Sequence, residues 1–191
     1  VHGGALTIIG MEVRAEASVA AAAAAITAPI DLVVANAGTM NARGGLTDPG
    51  HAEDNIAESL MTNIAGVFFT ARHFLAHLKA GADSRAAGII PRIAVISSQM
   101  GSSERAGTSA PIYRATKAAA TNLARSMALE LADDGIAVGA FHPGWVPTDM
   151  GGAQAAITAD VSAAGLLQRF YALTMDTSGV FETYEGEPLP F

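Results

Sequence analysis

Short apolar runs alternate with helix-periodic segments along most of this chain, and that order constrains its fold more than any other feature. A strand, a crossover helix and a further strand build a parallel sheet, because each helix must cover a face of the sheet. Leu6 to Met11 reads as a strand, and Glu16 to Ile26 as an alanine-rich helix carrying Val19, Ala23 and Ile26 on one face. Alanine is the best helix former, so the Ala20 to Ala25 run reads as helix rather than low complexity. Ile30 to Ala35 is a second strand, apolar on both faces as buried parallel strands are. A helix is expected from Glu58 to Lys79 with Asn63, Val67, Ala71, Phe74 and Leu78 inward, then a polar connection from Gly81 to Pro91. Arg92 to Ile96 is the next strand. A helix over Tyr113 to Leu131 turns Ala120, Leu123, Met127 and Leu131 inward and stops at Asp134-Gly135. Ile136 to Phe141, a helical segment over Ala163 to Leu173 and an apolar stretch at Val180-Phe181 complete an α/β pattern without internal repeats.

Half of the 191 residues are hydrophobic, enough for one α/β domain with a substantial core. A net charge of −7 repels a phosphate backbone, so nucleic acid is not an expected partner. No apolar run approaches the roughly 20 residues of a membrane-spanning helix, and no signal-peptide pattern opens the chain. With no cysteine, disulfides, thiolate metal sites and cysteine nucleophiles are excluded, and a cytoplasmic location is the default expectation.

The chemistry-bearing residues gather at predicted strand ends. Asn36-Ala37-Gly38, Ser97-Ser98 and His142-Pro143-Gly144 each follow a strand, and a parallel sheet delivers such ends to one edge, where ligands bind. Tyr113 and Lys117 are four apart on a predicted helix and so share a face. A cation beside a phenol favours phenolate, and a tyrosine tuned in that way exchanges a proton with a carbonyl or alcohol. The same spacing also arises by chance on ordinary helices. Asn63, polar on an inward stripe, needs a partner, for which a main-chain hydrogen bond is an equally good account.

These residues together resemble the short-chain dehydrogenase/reductase family, and most of all its C-factor-like carbonyl reductases. Asn36-Ala37-Gly38 is similar to the family's Asn-Ala-Gly motif. Asn63, Ser98, Tyr113 and Lys117 match its catalytic tetrad in order and approximate spacing, and Pro143 to Thr148 its Pro-Gly motif. The resemblance implies a doubly wound parallel sheet of the Rossmann type and hydride transfer between NAD(P)H and a small carbonyl or alcohol substrate. It implies Tyr113 as general acid, Lys117 lowering the tyrosine pKa and binding the nicotinamide ribose, and Ser98 polarising the carbonyl. Asn63 would position a water linking Lys117 to solvent. Val13, Asn36, Ala37 and Gly38 would line the cofactor cleft, with Pro143, Gly144, Val146 and Thr148 at the nicotinamide end. The subgroup leans towards NADP over NAD, although the deciding residues have no counterpart here. A homodimer through the helices of Asn63 and Tyr113 is compatible with the family.

The chain departs from the pattern in several places. The Ser98 to Tyr113 spacing is slightly long, Glu12 stands where aspartate is usual beside the adenine, and Phe191 replaces a closing tryptophan. The glycine-rich turn that should precede the first strand has no match, since a strand rather than a helix follows Gly3-Gly4. The resemblance therefore implies a single Rossmann-like domain over residues 1–191, truncated at the N-terminus and lacking the family's first two strands. The helix N-terminus that holds the pyrophosphate goes with them. In the order 3-2-1-4-5-6, the Leu6 to Met11 strand and the strand ending at Asn36 both lose neighbours, which leaves an exposed edge or forces the two to pair.

Other sites are weaker. Ser97 or Ser98 as nucleophile lacks a Gly-x-Ser-x-Gly elbow. His73 and His77 share a helix face but lack a third metal ligand, and solvated histidines are the simpler reading. His142 is expected to order its loop. Trp145, Met150 and the Ala153 to Leu173 region read equally well as a substrate lid or as a cover for the core. Two functions follow: a carbonyl reductase represented by its C-terminal portion, or a non-catalytic derivative that keeps the tetrad and acts as a binding or dimerising module.

Overall fold

The apolar runs pair as their order demands. In a computed structural model describing residues 5–83, 90–148, 150, 152 and 156–191, the strands β1 (Leu32–Ala35), β2 (Arg92–Ile96), β3 (Ala137–His142) and β4 (Phe181–Thr183) form one sheet. They lie in the order β1-β2-β3-β4, every neighbouring pair parallel. Alternate residues face opposite cores, as the period-two strand geometry requires. Ile93, Val95, Val138 and Ala140 join one core, with Val67, Ala71 and Leu78 of α3 (Gly66–Asp83) and Ala120, Ala124 and Met127 of α4 (Pro111–Glu130). Ala94, Ile96, Ala137 and Phe141 join the other, covered by Phe170 of α5 (Ala159–Ala172). The Phe141 and Phe170 rings meet edge to face at 5.0 Å. Helices thus cover both faces, the Rossmann-like arrangement expected. No helix among the described residues is long and apolar enough to cross a membrane.

The expected inward stripe is buried in full: Asn63, Val67, Ala71, Phe74 and Leu78 are all enclosed. The helix itself differs from the sequence reading. It starts earlier, with α2 (Glu53–Leu60), whose first turn holds Glu53 and Asp54 where acidic side chains favour a helix start. It then widens into a π-turn at Met61–Ala65 before continuing as α3. The first helix, α1 (Glu16–Ala24), packs on α3 through Val19 and Ala23. His73 Nε2 lies 3.1 Å from Glu16 Oε1 and His77 Nε2 3.1 Å from Ala23 O, so these histidines tie α1 down rather than standing in solvent. α5 also begins earlier than expected, because Thr158 Oγ1 caps it by accepting from Val161 N at 3.3 Å. Residues 84–89 of the expected connection, and 149, 151 and 153–155 of the expected lid, lie outside the described residues.

One strand does not form. Leu6 to Met11 belongs to no sheet, and Leu6 and Ile8 are 85% and 87% exposed. A strand is stable only when its N–H and C=O groups find a neighbour, and none of the described residues supplies one. The outer edge of β1 is likewise unpaired among the described residues, leaving Val34 38% exposed. Of the two expected outcomes the open edge is found, and direct pairing of Leu6 to Met11 with β1 is not.

Candidate active site

Parallel register brings the predicted loops to one edge. Ala35 of β1 pairs with Val95, and Ile96 of β2 with Phe141. Asn36, Ser97 and His142 therefore leave the sheet together, and Ser97 N donates to Phe141 O at 2.8 Å. The two serines then separate in role. Ser97 is enclosed, its Oγ donating to Lys117 O at 3.0 Å and lying 2.6 Å from Thr121 Oγ1, so it binds β2 to α4. Ser98 Oγ accepts from Met100 N at 3.1 Å, and its hydroxyl favours the ionised form of the Tyr113 phenol.

Tyr113 and Lys117 sit one turn apart on α4, both buried, with the ammonium 5.7 Å from the ring centroid. Pro111 begins this helix at a position where its missing N–H costs nothing. Lys117 Nζ donates to Ile96 O at 2.8 Å, while α4 presses so closely on the Ser98 loop that a Cβ on Gly101 would lie 2.6 Å from the Lys117 carbonyl carbon. The Asn36–Gly38 loop closes the other side. A Cβ on Gly38 would stand 3.2 Å from Lys117 Nζ and 3.4 Å from Asn63 Oδ1, so only glycine fits without displacing the ammonium.

Asn63 holds this arrangement together. It is fully buried in the π-turn, and turns of this kind recur at functional sites. Its Oδ1 accepts from Thr39 N at 2.8 Å, and its Nδ2 donates to Thr39 O at 2.9 Å and to Thr116 Oγ1 at 2.9 Å. One side chain thereby clamps the loop after β1 to the residue before Lys117. Thr116 and Thr39 escaped the sequence reading, and the threonine preceding Lys117 was the available signal.

Burial dominates the electrostatics. It raises the Tyr113 phenol above its usual range, and the Ser98 hydrogen bond opposes that rise. The expected lowering by Lys117 is not seen here, because burial of the phenol sets the direction of its shift. Lys117 itself is pushed down to about 8 by burial. An unfolded lysine keeps its proton to about pH 10.4, so between pH 8 and 10 the unfolded chain binds more protons and stability rises with pH. Urea unfolding at pH 7.5 and 9.5 should show a gain of about 2 kcal/mol that Lys117→Met abolishes. Equal slopes in the two proteins would mean that Lys117 is hydrated.

The remaining predicted residues fall in two places. Val13 packs over Gly66 and, with Met11, Val34, Asn36, Ala37 and Thr70, borders a cavity of about 180 Å³ beside the free edge of β1. Glu12, next to it, is gripped by Arg14, whose Nε and Nη2 reach the carboxylate at 3.1 and 2.9 Å. The Pro143–Thr148 loop starts from the same sheet edge, but its visible anchors lie towards α5. Pro143 O accepts from Ser162 Oγ at 2.6 Å, and Gly144, at φ +80°, leaves no room for a Cβ beside Ile157 and Tyr184. Val146 O accepts from Thr148 N at 2.9 Å, closing a local turn. The main-chain carbonyl of His142 accepts from Tyr184 N at 2.9 Å, while its buried Nδ1 makes no hydrogen bond among the described residues. The structure thus joins Gly38, Asn63, Ser98, Tyr113 and Lys117 in one buried cluster and sets Val13 and the 143–148 loop around it.

A parallel sheet with this cluster at its C-terminal edge defines a Rossmann-like site. The short chain dehydrogenase family model matches residues 2–158, and the chain belongs to that family. It is 33% identical over 166 residues to C-signal of Myxococcus xanthus, covering 86% of this chain and 95% of that protein. It is 33% identical over 100 residues to the 1-hydroxy-2-glutathionyl-2-methyl-3-butene dehydrogenase of Rhodococcus sp., spanning 44% of that protein. The NADPH-bound carbonyl reductase from chicken fatty liver superposes with a TM-score of 0.86 at 32% identity, covering 97% of this chain and 77% of that one. Carbonyl reductase Sniffer of D. melanogaster gives 0.86 at 25% identity, covering 95% and 76%.

Proposed function

We propose that this protein is an NAD(P)H-dependent carbonyl reductase, and the observation that carries the reading is the Ser98–Tyr113–Lys117 cluster buried at the sheet edge. Tyr113 donates its phenolic proton to the substrate oxygen as the carbonyl becomes an alcohol. Ser98, whose hydroxyl already acts on that phenol, orients it and polarises the same oxygen. Lys117, with a pKa brought near 8, exchanges protons readily near neutral pH and contacts the nicotinamide ribose. Asn63 positions rather than reacts: its protein hydrogen bonds hold Gly38 against Lys117.

The residues present suit the two ends of a nicotinamide dinucleotide. The half-buried Val13, with Asn36 and Ala37, borders a cavity fit for an adenosine edge, and the close approach at Gly38 opens Lys117 to a ribose. No glycine-rich turn for the pyrophosphate occurs among the described residues. When bound, the cofactor supplies the hydride. NADP is favoured, since the chicken carbonyl reductase holds NADPH. The reading also takes residues 1–191 as one Rossmann-like domain. It places the protein in the cytoplasm, with exposed Leu60 and Phe68 available to a homodimer.

A second reading has its own support. The β1 edge, open among the described residues, and a relative named C-signal, matched over nearly its whole length, favour a non-catalytic module that binds or dimerises. Titrating the chain with NADPH and NADH, followed by nicotinamide fluorescence, separates the two. Saturable enhancement, stronger with NADPH, is expected; no enhancement with either would leave the non-catalytic module as the better account.

A further inference from the structure

The turn that carries Val13 has no strand behind it, since Leu6 to Met11 joins no sheet. Side chains fix it instead. Glu12 N donates to Ser18 Oγ at 2.9 Å, and Arg14 N donates to Glu12 Oε1 at 3.0 Å. The Arg14 guanidinium grips both oxygens of Glu12 and extends Nη1 to Glu58 Oε1 on α2, 3.0 Å away. Val13 lies so close to α3 that a Cβ on Gly66 would stand 3.1 Å from its Cβ and Cγ2.

Glu58 also holds a second segment. Its Oε2 accepts from Asn41 Nδ2 at 2.9 Å, and the same Nδ2 donates to Asn55 O at 3.1 Å. Asn41 Oδ1 in turn accepts from Thr39 Oγ1 at 2.8 Å, and Thr39 N and O are the groups that Asn63 binds. Met11 and Val13 border the cavity of about 180 Å³ from one segment, Asn36 and Ala37 from the other. One carboxylate thus ties both together, Oε1 through Arg14 and Oε2 through Asn41.

Arg14, Glu12 and Glu58 keep 44%, 49% and 39% of their side-chain surface exposed, and a lone pair with such exposure contributes little. A bidentate guanidinium shared by two carboxylates is the stronger case, because the network fixes the geometry of each member.

We propose that Glu58 is a positioning residue for the nucleotide, holding the Met11–Val13 turn against the Asn36–Asn41 loop so that the cavity they border is preformed for an adenosine. A preformed cavity spares the ligand the cost of ordering its walls. The proposal rests on the reductase reading and adds to it the residue that shapes the cofactor cleft.

The test is calorimetric titration with 2′-phospho-ADP-ribose, which lacks the nicotinamide and cannot turn over. Glu58→Ala and Arg14→Ala should each weaken its binding by about tenfold, the scale of one coupled contact. The double variant should bind no more weakly than Glu58→Ala alone, because both changes break the same link. Glu58→Gln, which keeps an acceptor for Arg14, should recover part of the loss. Unchanged binding in Glu58→Ala, or losses in the two single variants that simply add, would overturn the role and leave the reductase reading standing. If the analogue binds and weakens as expected but no aldehyde is reduced with NADPH, the reductase reading fails and the role of Glu58 stands. A wild-type protein that binds neither NADPH nor the analogue overturns both.

Discussion

Replacing Tyr113 by phenylalanine is expected to lower kcat for carbonyl reduction by about 10²–10⁴-fold, the usual contribution of one positioned general acid. The change removes a single oxygen from a ring that is already buried, so the fold should persist. KM should move little, because the phenol acts chiefly as the proton is transferred. A Tyr113→Phe protein with kcat within a factor of a few of wild type would remove Tyr113 from the chemistry. Steady-state kinetics with NADPH and an aromatic aldehyde read this directly.

The second large effect belongs to Asn63. Asn63→Ala deletes the hydrogen bonds of a fully buried side chain to Thr39 N, Thr39 O and Thr116 Oγ1, with Thr39 itself half-buried. Each buried group left without a partner costs about 1–3 kcal/mol. Thr116 Oγ1 keeps its bond to Tyr113 O, so two groups lose their partner and the total is about 2–6 kcal/mol by the same measure, a large share of the 5–15 kcal/mol that holds a typical domain. Urea unfolding should show the loss as a lower midpoint at unchanged slope. Activity should fall as well, because the loop carrying Gly38 is no longer fixed against Lys117. An unchanged midpoint would mean that the clamp is replaced by water at no cost.

Much of this was legible before any coordinates. The inward stripe from Asn63 to Leu78 was correct at every position, because burial on a helix follows the 3.6-residue period. The β2 limits, Arg92 and Ile96, also match, since a run enclosed on both faces leaves no ambiguity about its ends. The π-turn at Met61–Ala65 was not legible: it is a local change of hydrogen-bonding partner, and nothing in residue order marks it. The direction of the Tyr113 shift was misjudged for a related reason. Spacing reported that Lys117 shares its face, but not that the Ile96 carbonyl takes the ammonium's hydrogen bond or how deeply both groups are buried. Ser97 and Ser98 look alike in the sequence, and only the pleat of β2 sends one into α4 and the other towards the phenol.

Periodicity and residue type therefore determined the alternating α/β pattern, and motif resemblance the family and the residues that gather at the sheet edge, because these depend on which residues tolerate burial and which carry protons. Tertiary structure alone decided what each member touches: Asn63 bound to main chain, and Lys117 desolvated to a pKa near 8 with its ammonium on the Ile96 carbonyl. It also decided that Leu6 to Met11, strand-like in composition, is not a strand. Hydrogen bonding and desolvation depend on distances between residues far apart in the chain, and strand formation on a neighbour that composition cannot supply.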